Sequence, residues 1–376
     1  MVEKGFGLYI HWPFCTRICP YCDFNIYKDR GADTAKWTDA FISEINHWAV
    51  QTPGRRLTSI YFGGGTPSLA APELVHAVIN AARSAWPTND NIEITLEANP
   101  TDAEQARFSA FHGSGVNRLS LGIQSFDDTA LQFLGRNHTG HEARYALDLA
   151  LKIFGNVTFD LIYALPDQTE EAWQSSLRKA LSIGAPHLSA YQLTIEPGTA
   201  FEKAVERGTF APADDDHGAA LYDITQSEAE RAGRPRYEIS NHASPGFESR
   251  HNLTYWRGGD YIGIGPGAHG RATIDGTRRA TETHRAPQKY LTAVNDHGHG
   301  ICLDDPLSPD DVFAEKLTMG LRMQEGVSLS QLEFAQLADR IRVLQADGFI
   351  EINGPRLSAS AAGQRILNSL LSTLLI

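Results

Sequence analysis

The chain of 376 residues is 42% hydrophobic and 21% charged, an ordinary composition for a globular protein with a large core. Its 45 acidic residues outnumber its 33 Lys and Arg residues, and the formal net charge of −12 argues against binding to nucleic-acid backbones, which attract cations. The first residues lack the features of a secretory signal, and no apolar run is long enough to span a membrane. We therefore expect a cytoplasmic protein that associates with a membrane, if at all, only peripherally.

Short apolar runs alternate with amphipathic segments through the first half of the chain. The predicted strands are residues 7–12, 57–62, 92–97, 118–123, 157–163 and 188–195. The predicted helices are residues 34–49, 71–85, 103–113, 142–154 and 170–183. This alternation predicts an α/β fold with a parallel sheet, and six strand–helix units are too few for a closed eight-stranded barrel. We expect a partial (β/α)6 barrel that is open on one side.

A loop with three cysteines follows the first predicted strand. Cys15, Cys19 and Cys22 have the spacing C-x3-C-x2-C, and their thiolates can bind three corners of a cubic iron–sulfur cluster. Such clusters usually take four cysteines, so one iron would keep an exchangeable position. The alternative is a zinc site completed by a histidine, although zinc sites more often pair cysteines as C-x2-C. The remote Cys302 is expected to be an ordinary, partly buried thiol.

Other unusual motifs also lie where predicted strands end. The glycine run that starts at Gly63 follows the second strand, Glu97 ends the third, Gln124 follows the fourth, and Asp160 lies on the fifth. Ligands of parallel α/β folds gather at the carboxyl ends of the strands, so we expect one binding site there. The glycines would let the backbone approach a ligand, with a simple tight turn as the alternative.

The three cysteines, with Tyr21 just before the third, resemble the signature of the radical S-adenosylmethionine superfamily. Within it, the chain is similar over nearly its whole length to the oxygen-independent coproporphyrinogen III oxidases. The similar segments begin at Tyr9, Gly63, Glu97, Gly122 and Asp160.

Two features separate the chain from those oxidases. Phe24 stands where the oxidases carry a further cysteine, and the residues from His251 to Trp256 fit the H-N-x-x-Y-W motif of the HemW family. Members of that family resemble the oxidase but are regarded as haem chaperones. The resemblance implies a protein that binds haem and passes it to haem-dependent, including respiratory, enzymes, with no assigned catalytic residue. The alternatives are a radical enzyme that decarboxylates or otherwise modifies a tetrapyrrole, and a zinc-stabilised binding protein.

The resemblance also implies roles for individual residues. Cys15, Cys19 and Cys22 would bind a [4Fe–4S] cluster. The residues implied to bind S-adenosylmethionine are Tyr9, Tyr21, Gly64, Gly65, Thr66, Glu97, Gln124, Arg136 and Asp160. Four of them match a second S-adenosylmethionine site of the oxidase group: Tyr21, Gln124, Arg136 and Asp160. His251 is the predicted haem ligand, because imidazole is a common axial ligand; the alternatives are a hydrogen-bonded structural role and ligation by His269.

The alternation of strands and helices fades in the second half of the chain. We predict a core barrel at 1–232, an extension with the H-N-x-x-Y-W motif at 233–305, and an accessory domain of HemN type at 306–376. The accessory domain has helical patterns and a hairpin-like segment at 348–357, which makes it an α+β domain resembling a winged helix. Its presumed recognition helix has no basic cluster, so we expect a lid or docking surface rather than DNA binding. The expected partners are haem and haem-accepting enzymes, membrane-associated respiratory proteins among them, and a homodimer is also considered.

Overall fold

The computed structural model describes residues 4–102 and 105–375. Its strands in this part of the chain are β1 (Phe6–Trp12), β2 (Phe14–Cys15), β3 (Tyr27–Lys28), β4 (Leu57–Gly64), β5 (Thr88–Ala98), β6 (Arg118–Gln124), β7 (Asn156–Tyr163), β8 (His187–Gln192), β9 (Asn241–Ala243), β10 (Asp260–Ile264), β11 (His269–Ile274), β12 (Thr277–Thr283), β13 (Ile301–Pro306), β14 (Val327–Ser328), β15 (Ile350–Asn353) and β16 (Arg356–Ala359). Its helices are α1 (Thr34–Gln51), α2 (Pro72–Ala85), α3 (Gln105–Gly113), α4 (Asp128–Phe133), α5 (Gly140–Ile153), α6 (Glu170–Leu181), α7 (Ala200–Glu206), α8 (Asp215–Arg231), α9 (Arg250–Trp256), α10 (Pro287–His297), α11 (Pro309–Gly320), α12 (Gln331–Ala346), α13 (Ala361–Arg365) and α14 (Leu367–Leu375). The predicted helix at 103–113 corresponds to α3, and its first two residues lie outside the described part of the chain.

The main sheet is a partial barrel. Strands β1, β4, β5, β6, β7 and β8 lie side by side in this order, and each pair of neighbours is parallel. The outer neighbour of β1 is β10, and the outer neighbour of β8 is β9, so β1 and β8 do not pair with each other. The six predicted strands are these six, and the prediction of an open (β/α)6 barrel is confirmed.

Strands that the sequence patterns did not predict extend both ends of this sheet. β9 adds to β8 in the antiparallel direction, while β10 to β13 continue the sheet beyond β1. β10 is parallel to β1, whereas the other added strands pair in the antiparallel direction and need no helical crossover, so the regular alternation of strands and helices fades here. The predicted domain boundaries after residues 232 and 305 stay predictions.

The two faces of the parallel strands differ in polarity. On β6, Leu119, Leu121 and Ile123 are buried in the apolar core beneath the helices, whereas Arg118 and Ser120 line an internal cavity. Alternate residues of a strand point to opposite faces, so the inner face of this strand is polar along its whole length. Parallel strands are usually apolar on both faces, so a polar inner face indicates a lumen that holds polar ligands.

The helices around the barrel follow from the apolar periodicity of their sequences. In α2, for example, Leu74, Val75, Val78, Ile79 and Ala82 are buried on one side, at the spacing expected for an amphipathic helix. No helix in the described ranges is long and apolar enough to cross a membrane.

The C-terminal segment forms the α+β arrangement predicted from its sequence. Its elements follow the order α11, β14, α12, β15 and β16, and the three strands form a small sheet with β16 in the centre. The predicted hairpin is present, with β15 and β16 joined at Gly354, whose φ of +59° suits a glycine. Leu317, Leu337, Ile341 and Leu357 belong to a separate apolar core of this segment.

Candidate functional site

A cavity of about 1310 Å³ opens at the carboxyl ends of the parallel strands and continues into the polar lumen. It is larger than the roughly 300–1,000 Å³ of typical small-molecule sites. The predicted site residues that line it are Cys15, Cys19, Tyr21, Cys22, Gly64, Gly65, Thr66, Glu97, Gln124, Arg136 and Asp160. The structure thus brings together residues from distant parts of the chain, while their individual binding roles stay predictions.

The three clustered cysteines are free thiols at one side of this cavity. Cys15 is buried at the end of β2, and Cys19 and Cys22 are half-buried on the loop that follows. The Thr66 hydroxyl donates to Cys15 Sγ at 3.3 Å, and Arg136 Nη1 donates to Cys19 Sγ at 3.3 Å. Donors directed at sulfur favour the thiolate, which is the form that binds iron.

In the unliganded protein, burial raises the pKa of Cys15 and raises that of Cys22 to about 11, so metal binding must displace protons. Among the described residues, no three His, Cys, Asp or Glu side chains are grouped as ligands of a single metal ion.

The glycine run at the end of β4 packs against the segment that leads into the cysteine loop. Gly65 N donates to Trp12 O at 2.7 Å and Thr66 N donates to Phe14 O at 2.8 Å. A Cβ atom on Gly65 would lie 2.5 Å from Phe14 O, and Gly64 has a φ of +109°. The glycines are therefore required by a tight approach of two backbone segments, in addition to facing the cavity.

Two buried carboxyl groups face the cavity. Glu97 accepts hydrogen bonds from the Tyr61 hydroxyl at 2.8 Å and from Gly64 N at 3.2 Å, and burial raises its pKa to about 7. Burial likewise raises the pKa of Asp160 to about 6, although a hydrogen bond from Ser189 lowers it. A bound cation would lower both pKa values and favour the ionised carboxylates, so both groups suit a positively charged ligand.

Tyr9 and His251 lie away from the lining of this cavity. Tyr9 is held by a hydrogen bond to His11 at 3.0 Å, and its ring stacks on those of Tyr61 and His251. His251 is 1% exposed; Nδ1 contacts Ser59 Oγ at 2.8 Å and Nε2 contacts the Tyr255 hydroxyl at 2.6 Å. Burial, assisted by the charge of Arg118, lowers the pKa of His251 to about 3. Its ring is therefore neutral and has both nitrogens engaged.

The motif that contains His251 forms helix α9, which packs against β1, β4 and β10. The Glu93 carboxylate accepts the backbone N–H groups of Arg250 and His251 at 3.1 Å each, so an acidic side chain of β5 meets the amino end of α9. The next residue, Asn252, lines the cavity. The motif thus forms part of the lumen wall.

The residues assigned to a second S-adenosylmethionine site lie together beside the cysteine loop. Arg136 Nη2 donates to Gly122 O at 2.7 Å, and its other terminal nitrogen faces Cys19. Gln124 has a φ of +68°, a strained conformation for a residue other than glycine. The ring of Tyr21 packs on Phe201.

Several lining residues escaped the sequence patterns. They are Tyr61, Arg118, Ser120, Ser189, Tyr191, Asn252 and Arg322, together with residues 364–369 of the C-terminal domain. Arg118 could have been found, because it shares the inner face of β6 with the predicted Gln124. Ser120 lies on the same face, and Asn252 belongs to the H-N-x-x-Y-W motif. The others depend on contacts between distant segments.

The structure also corrects one prediction and places two further residues. Cys302 was expected to be partly buried but is exposed, because it lies on β13 at the edge of the main sheet. Phe24 is 60% exposed at the cavity lining. His269 is exposed on β11, with Nδ1 3.3 Å from Glu282 Oε1.

Comparison with known proteins places this site in a family. Residues 9–180 match the model of the radical SAM superfamily, and residues 307–366 match the HemN C-terminal domain. The structure superposes on coproporphyrinogen III oxidase (HemN) from Escherichia coli with a TM-score of 0.82 and 21% identity, covering 99% of this chain and 90% of that one. At this identity the likeness shows the fold alone.

Curated relatives are more similar in sequence. The chain is 39% identical to the mitochondrial radical S-adenosyl methionine domain-containing protein 1 of Bos taurus, over 98% of this chain and 87% of that protein. It is 33% identical to the heme chaperone HemW of Mycobacterium tuberculosis, over 100% and 96% of the two chains. It is 40% identical to the heme chaperone HemW of Escherichia coli, over 76% and 75%. The chain belongs to the HemW family of the radical SAM superfamily.

Proposed function

We propose that the protein is a haem chaperone, which binds haem in the barrel cavity and passes it to haem-dependent enzymes. The observation that carries the proposal is the large polar lumen in a chain similar over its whole length to a heme chaperone HemW. We further propose that it carries a [4Fe–4S] cluster and S-adenosylmethionine. No catalytic residue is assigned.

The residues present fit the two cofactors. Cys15, Cys19 and Cys22 line one cavity, and two of their sulfur atoms already receive hydrogen-bond donors. Residues Gly64 to Thr66 and Glu97, which are proposed to bind S-adenosylmethionine, line the same cavity as the cysteines. A buried carboxylate suits this ligand, because S-adenosylmethionine carries an ammonium and a sulfonium group. When bound, the reduced cluster can supply an electron for cleavage of a carbon–sulfur bond, although carrying haem does not require that chemistry.

Anaerobic reconstitution with iron and sulfide, followed by haem titration and a coproporphyrinogen turnover assay on the same sample, tests the proposal. We expect saturable haem binding, transfer to an apo-acceptor and no decarboxylated product. Product that depends on S-adenosylmethionine would instead identify a radical enzyme acting on a tetrapyrrole. A functional preparation that contains zinc and no iron would identify a zinc-stabilised binding protein.

The Glu97 carboxylate gives S-adenosylmethionine binding an expected pH dependence. Because burial raises the pKa of Glu97 to about 7, the group is partly protonated near neutral pH, and a bound cation favours its ionised form. Affinity should therefore rise with pH up to about pH 7, by at most about tenfold per pH unit, and level off above it. Glu97→Gln should weaken binding about tenfold or more at the upper end and remove this rise. Calorimetric titration of the cluster-containing protein measures both effects.

Asp160→Asn is the matched control for this prediction. Its carboxyl group also faces the cavity, and its charge helps to raise the pKa of Glu97, so this variant should keep the rise but shift it to lower pH. A flat pH profile in the unsubstituted protein would contradict the proposed role of Glu97.

We also propose that His251 binds the haem iron, which would require a change in its hydrogen bonds. The ring would have to exchange one hydrogen-bond partner for iron, and Tyr255 is the partner of Nε2 at 2.6 Å. Tyr255→Phe removes the competing hydroxyl and should strengthen haem binding severalfold, whereas His251→Ala should abolish the spectrum of an imidazole-ligated haem. Haem absorbance spectra and titrations provide the measurement. An unchanged spectrum in His251→Ala, with lower thermal stability in both variants, would assign His251 a structural role.

The recipients of haem are proposed to include membrane-associated respiratory enzymes, with the chaperone acting from the cytoplasm or at the membrane periphery. Formation of a homodimer is a further proposal. Sedimentation with and without the cluster, and transfer assays with candidate apo-enzymes, test these points.

A further inference from the structure

One buried cation inside the barrel lacks a hydrogen-bond partner in the described part of the chain. Arg118 begins β6, its side chain is only 3% exposed, and it lines the cavity. Its Nε atom is buried without a partner. The nearest carboxylate oxygen belongs to Glu93 and lies 4.0 Å from Nε, beyond hydrogen-bonding distance.

The neighbouring carboxylates are already engaged by other donors. Glu93 accepts the backbone N–H groups at the start of α9, and Glu97 accepts from Tyr61 and Gly64. Ser189 and the charge of Arg118 both lower the pKa of Asp160. A guanidinium has five N–H donors, and a buried charge is costly unless it is hydrogen-bonded. The groups around Arg118 therefore leave its donors to be satisfied from the cavity.

The family motif contributes to the same wall of the lumen. Glu93 lies between Arg118 and the amino end of α9, where it contacts the N–H groups of Arg250 and His251. Asn252 comes next in the chain, lines the cavity, and has a side-chain amide that makes no hydrogen bond to the residues the structure describes. A planar cation and a free amide on one wall are suited to an anionic oxygen ligand.

Arg118 lies deeper in the lumen than the residues predicted to bind S-adenosylmethionine. It is six residues before Gln124, which ends the strand beside the cysteine loop, and a strand of this length spans roughly 20 Å. On the neighbouring strand Arg118 pairs with Thr95, two residues before Glu97, and its charge lowers the pKa of Glu97. A larger ligand that enters the lumen can reach Arg118.

We infer that Arg118, assisted by Asn252, binds a carboxylate of the ligand carried in the lumen, which in a haem chaperone is a haem propionate. The inference deepens the proposed function and rests on it. In this arrangement the H-N-x-x-Y-W motif supports the ligand through Asn252, while the neighbouring Glu93 anchors helix α9 beside Arg118.

The test compares haem with haem dimethyl ester, in which both propionates are esterified, on the full chain with its reconstituted cluster. The unsubstituted protein should bind haem about tenfold to a hundredfold more tightly than the diester, as expected for a charge-assisted hydrogen bond. Arg118→Gln should weaken haem binding by that factor and leave diester binding unchanged. Asn252→Ala should reduce the preference in part. Arg144→Gln, which removes an exposed arginine on α5, is the control for net charge and should preserve it.

The outcomes separate this inference from the proposed function. Absence of haem binding in the unsubstituted protein would overturn the function, whereas equal binding of haem and diester would overturn only the role of Arg118. A titration with S-adenosylmethionine distinguishes the other source of a carboxylate. Arg118→Gln should lower that affinity less than it lowers haem affinity, because Arg118 acts on this cofactor only by favouring ionised Glu97, and an equal or larger loss would overturn the assignment to a propionate.

The stability of the ligand-free variants provides a second readout. Arg118→Gln leaves the buried Glu93 carboxylate without its neighbouring cation, so the melting temperature of the ligand-free variant should fall. A lower melting temperature in Arg118→Gln, with the preference for haem over the diester retained, would assign Arg118 to the ion pair with Glu93 and overturn the inference. Arg118→Lys keeps the charge without the planar fork and should show an intermediate preference.

Discussion

Replacing any one of Cys15, Cys19 or Cys22 by serine is expected to abolish stable binding of the [4Fe–4S] cluster. The three thiols line the same cavity, and the loss of one sulfur would leave two protein ligands for a cluster that already uses one fewer than the usual four. Iron and sulfide should fall from about four of each per chain to near background after anaerobic reconstitution. Iron analysis, visible absorbance and electron paramagnetic resonance of the reduced sample measure this loss.

Cys302→Ser is the matched control, because this fourth cysteine is exposed at the edge of the main sheet, away from the cysteine loop. It should retain the full iron and sulfide content. Full cluster content in a serine variant of the loop would show that the corresponding sulfur is not a ligand, and stoichiometric zinc in place of iron would favour a single-ion site.

Gly65→Ala is expected to destabilise the protein by about 3 kcal/mol and to lower cluster retention. The new Cβ would lie 2.5 Å from Phe14 O and 2.9 Å from Phe14 C, which are backbone atoms that a side-chain rotation cannot move. Relief of such overpacking typically costs about 1–3 kcal/mol, and displacement of the loop would also weaken the bond from Gly65 N to Trp12 O. Urea unfolding of the apo-protein and iron loss on dilution provide the measurements.

Gly155→Ala is the control for this substitution, since a Cβ there meets no atom within 4 Å and the residue is outside the left-handed region. Its free energy of unfolding should change by no more than about 0.5 kcal/mol. The comparison also separates two roles of the glycine run. Unchanged stability in Gly65→Ala with loss of S-adenosylmethionine binding would show that the glycine serves the ligand rather than the packing of the two loops.

The proposed function places two kinds of group in one lumen. At the carboxyl ends of the strands, the cysteines and Glu97 suit a cluster and a cationic cofactor, while Arg118 lies at the opposite end of β6. A carrier must bind its cargo and release it, and a buried arginine that is unsatisfied without the ligand destabilises the empty state. Such a site favours binding of haem when haem is present, and it forms no covalent bond that would prevent release.

Much of the fold could be predicted because local patterns encode it. The six parallel strands and the helices between them appear in the sequence as apolar runs and amphipathic periods, and each was found within about two to four residues of its predicted position. The strands β9 to β13 inside the predicted extension were missed. They join opposite ends of the sheet, and apart from β10, which is parallel to β1, they pair in the antiparallel direction.

The site was predictable to the same extent and for a related reason. Motifs that follow parallel strands necessarily meet at one edge of the sheet, so Cys15, Glu97, Gln124 and Asp160 could be expected to converge before any contact was known. By itself, then, the sequence determined the partial barrel, the cysteine loop and the end of the barrel where ligands gather.

Only the tertiary structure decided which side chains are available to a ligand. Tyr9 and His251 match binding motifs, yet the Tyr9 hydroxyl is hydrogen-bonded to His11, and both ring nitrogens of His251 contact hydroxyl groups. Arg118 and Asn252, in contrast, line the cavity. The spacing of residues along the sequence predicts which of them share a strand face or a loop. Whether a polar atom is free depends instead on partners brought from distant segments, such as Ser59 for His251, and these partners are set by packing across the whole barrel.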